Sequence, residues 1–285
     1  MKNILVTMGI VIVFIIGLSI MLYPTVASYI NSLRQSRVVS QYYRDIENLT
    51  LEQFEEILSA AHEYNERLRT TPDRFTFSPD DKKEYLSLLD PVGKGMMGTL
   101  YIEKIKVRLP IYHGTSEEVL QRGTGHFEGT SLPVGGPGTH SVVTGHRGLP
   151  SSIMLTDLDQ LEEGDTFTMI ILNEILTYKV DRILVVEPHE LWPLTIEDDE
   201  DYCTLLTCTP YAINSHRLLV RGSRIANEDA DFRTPAFLPD ADADAIKPIH
   251  VAMLLLIPVL VINLVILIVR LVKELKKRDC GSSPQ

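Results

Sequence analysis

Only three cysteines occur in the 285 residues, at positions 203, 208 and 280, so no disulfide framework holds this chain together. Cys203 and Cys208 stand five apart, and on one strand they would face opposite sides and could not bridge. The sequence also lacks a paired-cysteine zinc pattern, an HExxH helix, a phosphate-binding loop and a dinucleotide fingerprint. No metal and no cofactor is therefore expected. Positive charge is short as well, with 27 Lys and Arg against 38 Asp and Glu, a net charge of −11. That balance argues against nucleic acid as a partner.

Charge is missing altogether from residues 4–22 and 251–269. Each stretch is long enough to cross a bilayer as a helix, which takes about 20 residues. The first exceeds the core of an ordinary signal peptide, so an uncleaved anchor is expected over 1–27. Arg270, Lys273, Lys276, Lys277 and Arg278 follow the second stretch and Lys2 precedes the first. Basic flanks stay in the cytoplasm. Both termini are then expected inside, together with Cys280, and residues 28–248 outside the cell.

Between the spans the pattern changes twice. Apolar residues at helical spacing predict helices over 28–69, with Thr50 and Gln53 as a capping box opening the second. Residues 70–98 read as irregular, with a short helix near Lys82–Leu89. From Thr99 short runs rich in Ile, Val, Leu and Tyr alternate with turn residues. They predict strands at Thr99–Ile105, Val107–Tyr112, His140–Gly145, Thr166–Leu172, Leu176–Glu187, Tyr202–Cys208 and His216–Ser223, and helices near Glu117–Arg122 and Ser151–Leu161. So many short strands imply an all-β barrel or sandwich over 99–226. An acidic, Pro- and Ala-rich tether over 227–248 leads to the second span and tail, 249–285.

The chemistry such a chain can carry rests on a thiol. Cys208 ends an apolar strand just before Pro210, where functional groups sit at the rim. His146 ends another strand, bracketed by Gly145 and Gly148. Arg217 lies nine residues after Cys208, and a turn centred near Ala212–Ile213 would make the two cross-strand neighbours about 5 Å apart at Cα. Taken singly, an inert core cysteine, a loop histidine and a surface arginine are the commoner readings.

Taken together, Cys208 in TLLTC, His146 in TGHRG and Arg217 in NSHRLLVRG closely resemble the catalytic segments of sortases. LPIYHGTSEEVL and VVTGHRGLP resemble the class C, pilus-assembling branch. The likeness runs from about Leu58 to Ile225. It implies an eight-stranded β-barrel with N-terminal helices and two flanking transmembrane helices. It also implies a cysteine transpeptidase with Cys208 as nucleophile, His146 as general acid and base, and Arg217 steadying the oxyanion and substrate. The implied partners are pilins or surface proteins bearing LPxTG-like sorting signals, cleaved after Thr, and the implied acceptor is a lysine amine of the next pilin. Attachment of single proteins to cell-wall peptide is the rival reading, and a non-enzymatic scaffold with a structural Cys208 a third. The branch commonly carries a lid with an Asp-Pro-aromatic motif. Here Asp90-Pro91 lacks the aromatic residue and Asp73-Arg74-Phe75 lacks the proline, so either segment could be lid or linker, and an aspartate in a lid is expected to pair with Arg217.

Overall fold

The computed structural model describes residues 2–227 and the helical residues 265–266, 268–270 and 272–273. The tether from residue 228, most of the second apolar stretch and the tail with Cys280 lie outside the described residues. The chain divides into two units, one of Met1–Val26 with Ala241–Gln285 and one of Ala27–Asp240.

Helix α1 runs over Lys2–Ile46. It contains the one stretch among the described residues that is long and apolar enough to cross a membrane, with a mean hydropathy of 1.9 and none of that stretch buried. Its C-terminal turns pack instead, through Val39, Tyr42, Tyr43 and Ile46. Helix α2, Leu51–Arg69, opens on the expected capping box, Thr50 with Gln53. Helix α3, Pro79–Ser87, starts earlier than periodicity predicted. A second capping box, Ser78 with Asp81, and Pro79 in the first turn fix that start.

Eight strands follow: β1 Met96–Ile102, β2 Val107–His113, β3 Thr124–His126, β4 Thr139–Thr144, β5 Thr166–Ile171, β6 Glu174–Val186, β7 Asp201–Thr209 and β8 His216–Ile225. Helix α4, Glu117–Arg122, lies between β2 and β3. The strands close into a barrel in the order β1-β2-β3-β4-β7-β8-β6-β5, with β2–β3 and β4–β7 parallel. Its interior is filled by side chains such as Leu100, Ile111, Val143, Phe167, Met169, Tyr178, Leu205 and Val220. Burying them supplies most of the driving force for the fold.

Two expectations are corrected. The helix foreseen over Ser151–Leu161 is a chain of tight turns with one 3-10 turn, Leu158–Gln160. Met154 takes φ +44, Thr156 and Leu158 bond back three residues, and Met154, Leu155 and Leu158 are all buried. Here burial overrides helical spacing. The first strand starts at Met96 and stops at Ile102, because Lys106 at φ +53 turns the chain and leaves Ile105 in the corner.

Two buried histidines brace the barrel as neutral rings. In β3, one His126 nitrogen faces the Ser131 carbonyl at 2.9 Å and the other the Tyr85 hydroxyl at 3.0 Å. In β4, His140 faces the Thr195 carbonyl and the Thr204 hydroxyl, each at 2.8 Å. One donor and one acceptor satisfy each ring. Burial pushes both pKa values down to about 4, against about 6.5 in the unfolded chain. Between those values the unfolded state binds protons that the folded state refuses, so stability falls as pH falls from about 6.5 to 4. We expect the thermal midpoint to drop by on the order of ten degrees across that window. A midpoint flat from pH 6.5 to 4 would contradict the buried neutral rings.

Candidate active site

The sequence TLLTC places alternate side chains of β7 on opposite faces of the sheet. Cys203 and Leu205 point into the barrel, and Cys203 is fully buried. Its thiol lies 3.7 Å from the Met169 sulfur. Burial raises the pKa of Cys203 well above the usual thiol range, so this sulfur stays protonated. Leu206 and Cys208 face outward, and Cys208 is partly exposed. The two sulfurs therefore stand in opposite environments.

Neighbouring strands bring the other two residues to Cys208. Strand β8 pairs with β7 so that Arg217 stands directly opposite Cys208. The parallel ladder of β4 with β7 ends at Thr144 opposite Leu206. Beyond it, Gly145 N–H donates to the Leu206 carbonyl, and the Thr207 hydroxyl donates to the Gly145 carbonyl at 2.8 Å. Carried on by two residues past the end of β4, the same register would bring His146 level with Cys208. Cys208 and Arg217 thus face each other across adjacent strands about 5 Å apart, and His146 follows the end of β4 on the other side of β7. The loops beyond are tied together: Arg147 donates to the Thr209 hydroxyl and pairs with Asp159. At Gly148, with φ +77, a Cβ would sit 3.1 Å from the Tyr211 ring.

Arg217 is not neutralised. Among the described residues its guanidinium meets the carbonyls of Asn214 and His216, at 3.3 and 3.1 Å, and no carboxylate. The other arginine on that face, Arg221, is held by both oxygens of Asp181 and stacks on Tyr202. One arginine of the pair is structural, and the other keeps its charge available.

The outer face beside Cys208 is apolar. Val142, Leu206, Leu219, Leu184 and Val186 meet Leu194 from the β6–β7 connection, and Phe75 and Phe127 pack against them. Phe75 belongs to the irregular segment between α2 and α3 and meets Phe127 edge to face. Its neighbour Arg74 donates to the Gly129 carbonyl at 2.7 Å and to the Leu194 carbonyl at 2.6 Å, with the guanidinium 4.5 Å from the Phe75 ring centre. Gly129, with φ +85, allows this approach, since a Cβ there would lie 2.4 Å from the Arg74 carbonyl oxygen.

The two candidate lid segments part company. Asp90 accepts from the Lys94 N–H and closes the turn that leads into β1 through Pro91, while Val92 packs on the barrel core. Asp73 is exposed. Neither aspartate pairs with Arg217 among the described residues, so the ion pair expected of a lid aspartate is not made. Sequence reasoning passed over Arg74 as a contact and Glu117, whose Oε2 lies 3.4 Å from His146 Nε2. Both lay within quoted segments, but neither belonged to a motif.

A profile of the sortase domain matches residues 100–225. Sortase C1 of Streptococcus agalactiae is 46% identical, with a TM-score of 0.66, and the match covers 67% of this chain and all of that one. Sortase C of Streptococcus pneumoniae, whose structure is described in terms of catalysis and pilin substrate specificity, is 41% identical with a TM-score of 0.59. That match covers 67% of this chain and 97% of the other. Sortase D of Bacillus subtilis is 26% identical over 151 residues, which is 52% of this chain and 73% of that protein.

Proposed function

The chain belongs to the sortase family of cysteine transpeptidases, and on that premise we propose that it joins pilin subunits, using Cys208, His146 and Arg217. The observation that carries this reading is the cross-strand pair of Cys208 with Arg217, an arginine that no carboxylate among the described residues claims. The Cys208 thiolate attacks the carbonyl carbon of the Thr in an LPxTG-like signal, and a C–S bond forms. His146, as imidazolium, gives its proton to the departing amine as the C–N bond breaks. Arg217 steadies the oxygen that becomes negative in between. A lysine amine of the next subunit then attacks the thioester and gives its proton to His146. The new amide forms and the thiolate departs.

The pilin acceptor is supported by the likeness to sortase C proteins, one of which is described for pilin specificity. The apolar face under Phe75 and Leu194 suits the Leu and Pro side chains of a sorting signal. Phe75, held by Arg74, covers that face, and we assign residues 73–75 as the lid and Asp90-Pro91 as linker. The unit from Ala27 works outside the membrane, anchored by α1 and by a second span over 251–269. Purified protein mixed with a pilin carrying the signal should build ladders of covalent oligomers through isopeptide bonds. Cleavage without ladders, and joining instead to cell-wall peptide, would favour the anchoring reading.

A further inference from the structure

The imidazole of the proposed mechanism needs its two nitrogens to do different work, and the surroundings of His146 divide them. Nε2 is buried and lacks a hydrogen bond of standard geometry among the described residues. What faces it is the Glu117 carboxylate, with Oε2 at 3.4 Å. Glu117 stands in the first turn of α4, whose start is set by the Ser116 side chain accepting from the Val119 N–H. Its other oxygen, Oε1, accepts from the Gln121 side-chain amide at 3.0 Å, one turn along the helix. One oxygen is thus held by the helix and the other is turned to the ring. Among the described residues neither nearby arginine pairs with Glu117, since Arg147 pairs with Asp159 and Arg217 meets only backbone carbonyls.

We propose that Glu117, steadied by Gln121, is a positioning residue for His146. It accepts from Nε2–H and so fixes the tautomer that leaves Nδ1 to exchange protons with the reacting amine. Its negative charge also favours the imidazolium each time one forms, as a carboxylate does behind a catalytic imidazole in other hydrolases. At 3.4 Å the contact is a charge facing a ring nitrogen, looser than a formed hydrogen bond. Catalytic contacts of this kind tighten when substrate binds. Because the Glu117 side chain is 67% exposed, solvent screens it and its effect is modest. The inference rests on His146 acting as acid and base.

The test pairs kinetics with a spectroscopic signature on the full chain in detergent micelles, labelled with 15N-histidine. In the wild-type protein above neutral pH, His146 should show the Nε2–H tautomer. Glu117→Ala should mix the tautomers and lower kcat about tenfold with little change in KM, leaving the thermal midpoint in place. Glu117→Gln, which keeps an acceptor without the charge, should hold the tautomer and lose about threefold. An unchanged tautomer in Glu117→Ala overturns the proposal, whether or not kcat falls. The catalytic assignment fails separately: if His146→Gln cleaves at the wild-type rate, that reading is lost while the tautomer still reports the contact.

Discussion

Cys208→Ala should leave no measurable cleavage of a sorting peptide and no thioester adduct, a loss of at least about 10³-fold, while Cys203→Ala should turn over near the wild-type rate. The two sulfurs lie on one strand, five residues apart, yet the pleat puts them in opposite surroundings. Cys203 faces the closed barrel, where burial holds its thiol protonated. A protonated buried thiol is no nucleophile. Its removal costs packing, on the order of 1 kcal/mol for a side chain this small. Cys208 is partly exposed and faces outward opposite Arg217, where a thiol can reach a carbonyl. Equal losses in both variants, each shown to be folded, would mean that the wrong sulfur has been assigned.

Arg74→Ala should speed alkylation of Cys208 in the resting enzyme by roughly thirty- to a hundredfold. The segment we propose as the lid is held by two hydrogen bonds from a guanidinium to the carbonyls of Gly129 and Leu194, which belong to different loops. Burial lowers the pKa of Arg74, but a guanidinium keeps its charge. Each bond is worth about 1 to 1.5 kcal/mol net. The pair therefore biases the closed state by about 2 to 3 kcal/mol, and each 1.4 kcal/mol is about tenfold in population. Asp73→Ala and Asp90→Ala should change the same rate by less than about threefold, since neither carboxylate reaches Arg217. A change below threefold in Arg74→Ala would mean the segment does not gate the thiol. A hundredfold rise in Asp73→Ala would require an ion pair that is not made among the described residues.

The contrast between the arginine latch and the missing aspartate pair marks where the sequence is legible. Strands such as TLLTC and HSVVT read clearly because alternation and β-branched residues report a pleated, half-buried surface. The Cys208–Arg217 register followed from counting residues around the turn, where Ala212 and Asn214 take positive φ. Strand β3 has three residues, too few to show a period. The closing pair β1–β5 joins segments some seventy residues apart, and local pattern says nothing about that. Arg74 was hidden for the same reason, since its two partners lie 55 and 120 residues away. Glu117 reads as one more first-turn acid on a short helix until the fold brings it to His146. The Ser151–Leu161 turns misled because burial at Met154, Leu155 and Leu158 imitates helical spacing.

The central claim is that Cys208 carries the acyl group between two amines. Intact-mass spectrometry of the wild-type enzyme, quenched in acid during turnover of an LPxTG peptide, measures this directly. The mass should rise by that of the peptide up to its Thr, and digestion should place the adduct on Cys208 as a hydroxylamine-labile thioester. An enzyme that cleaves the peptide at full rate with no adduct, or with the adduct on any other residue, would contradict the account.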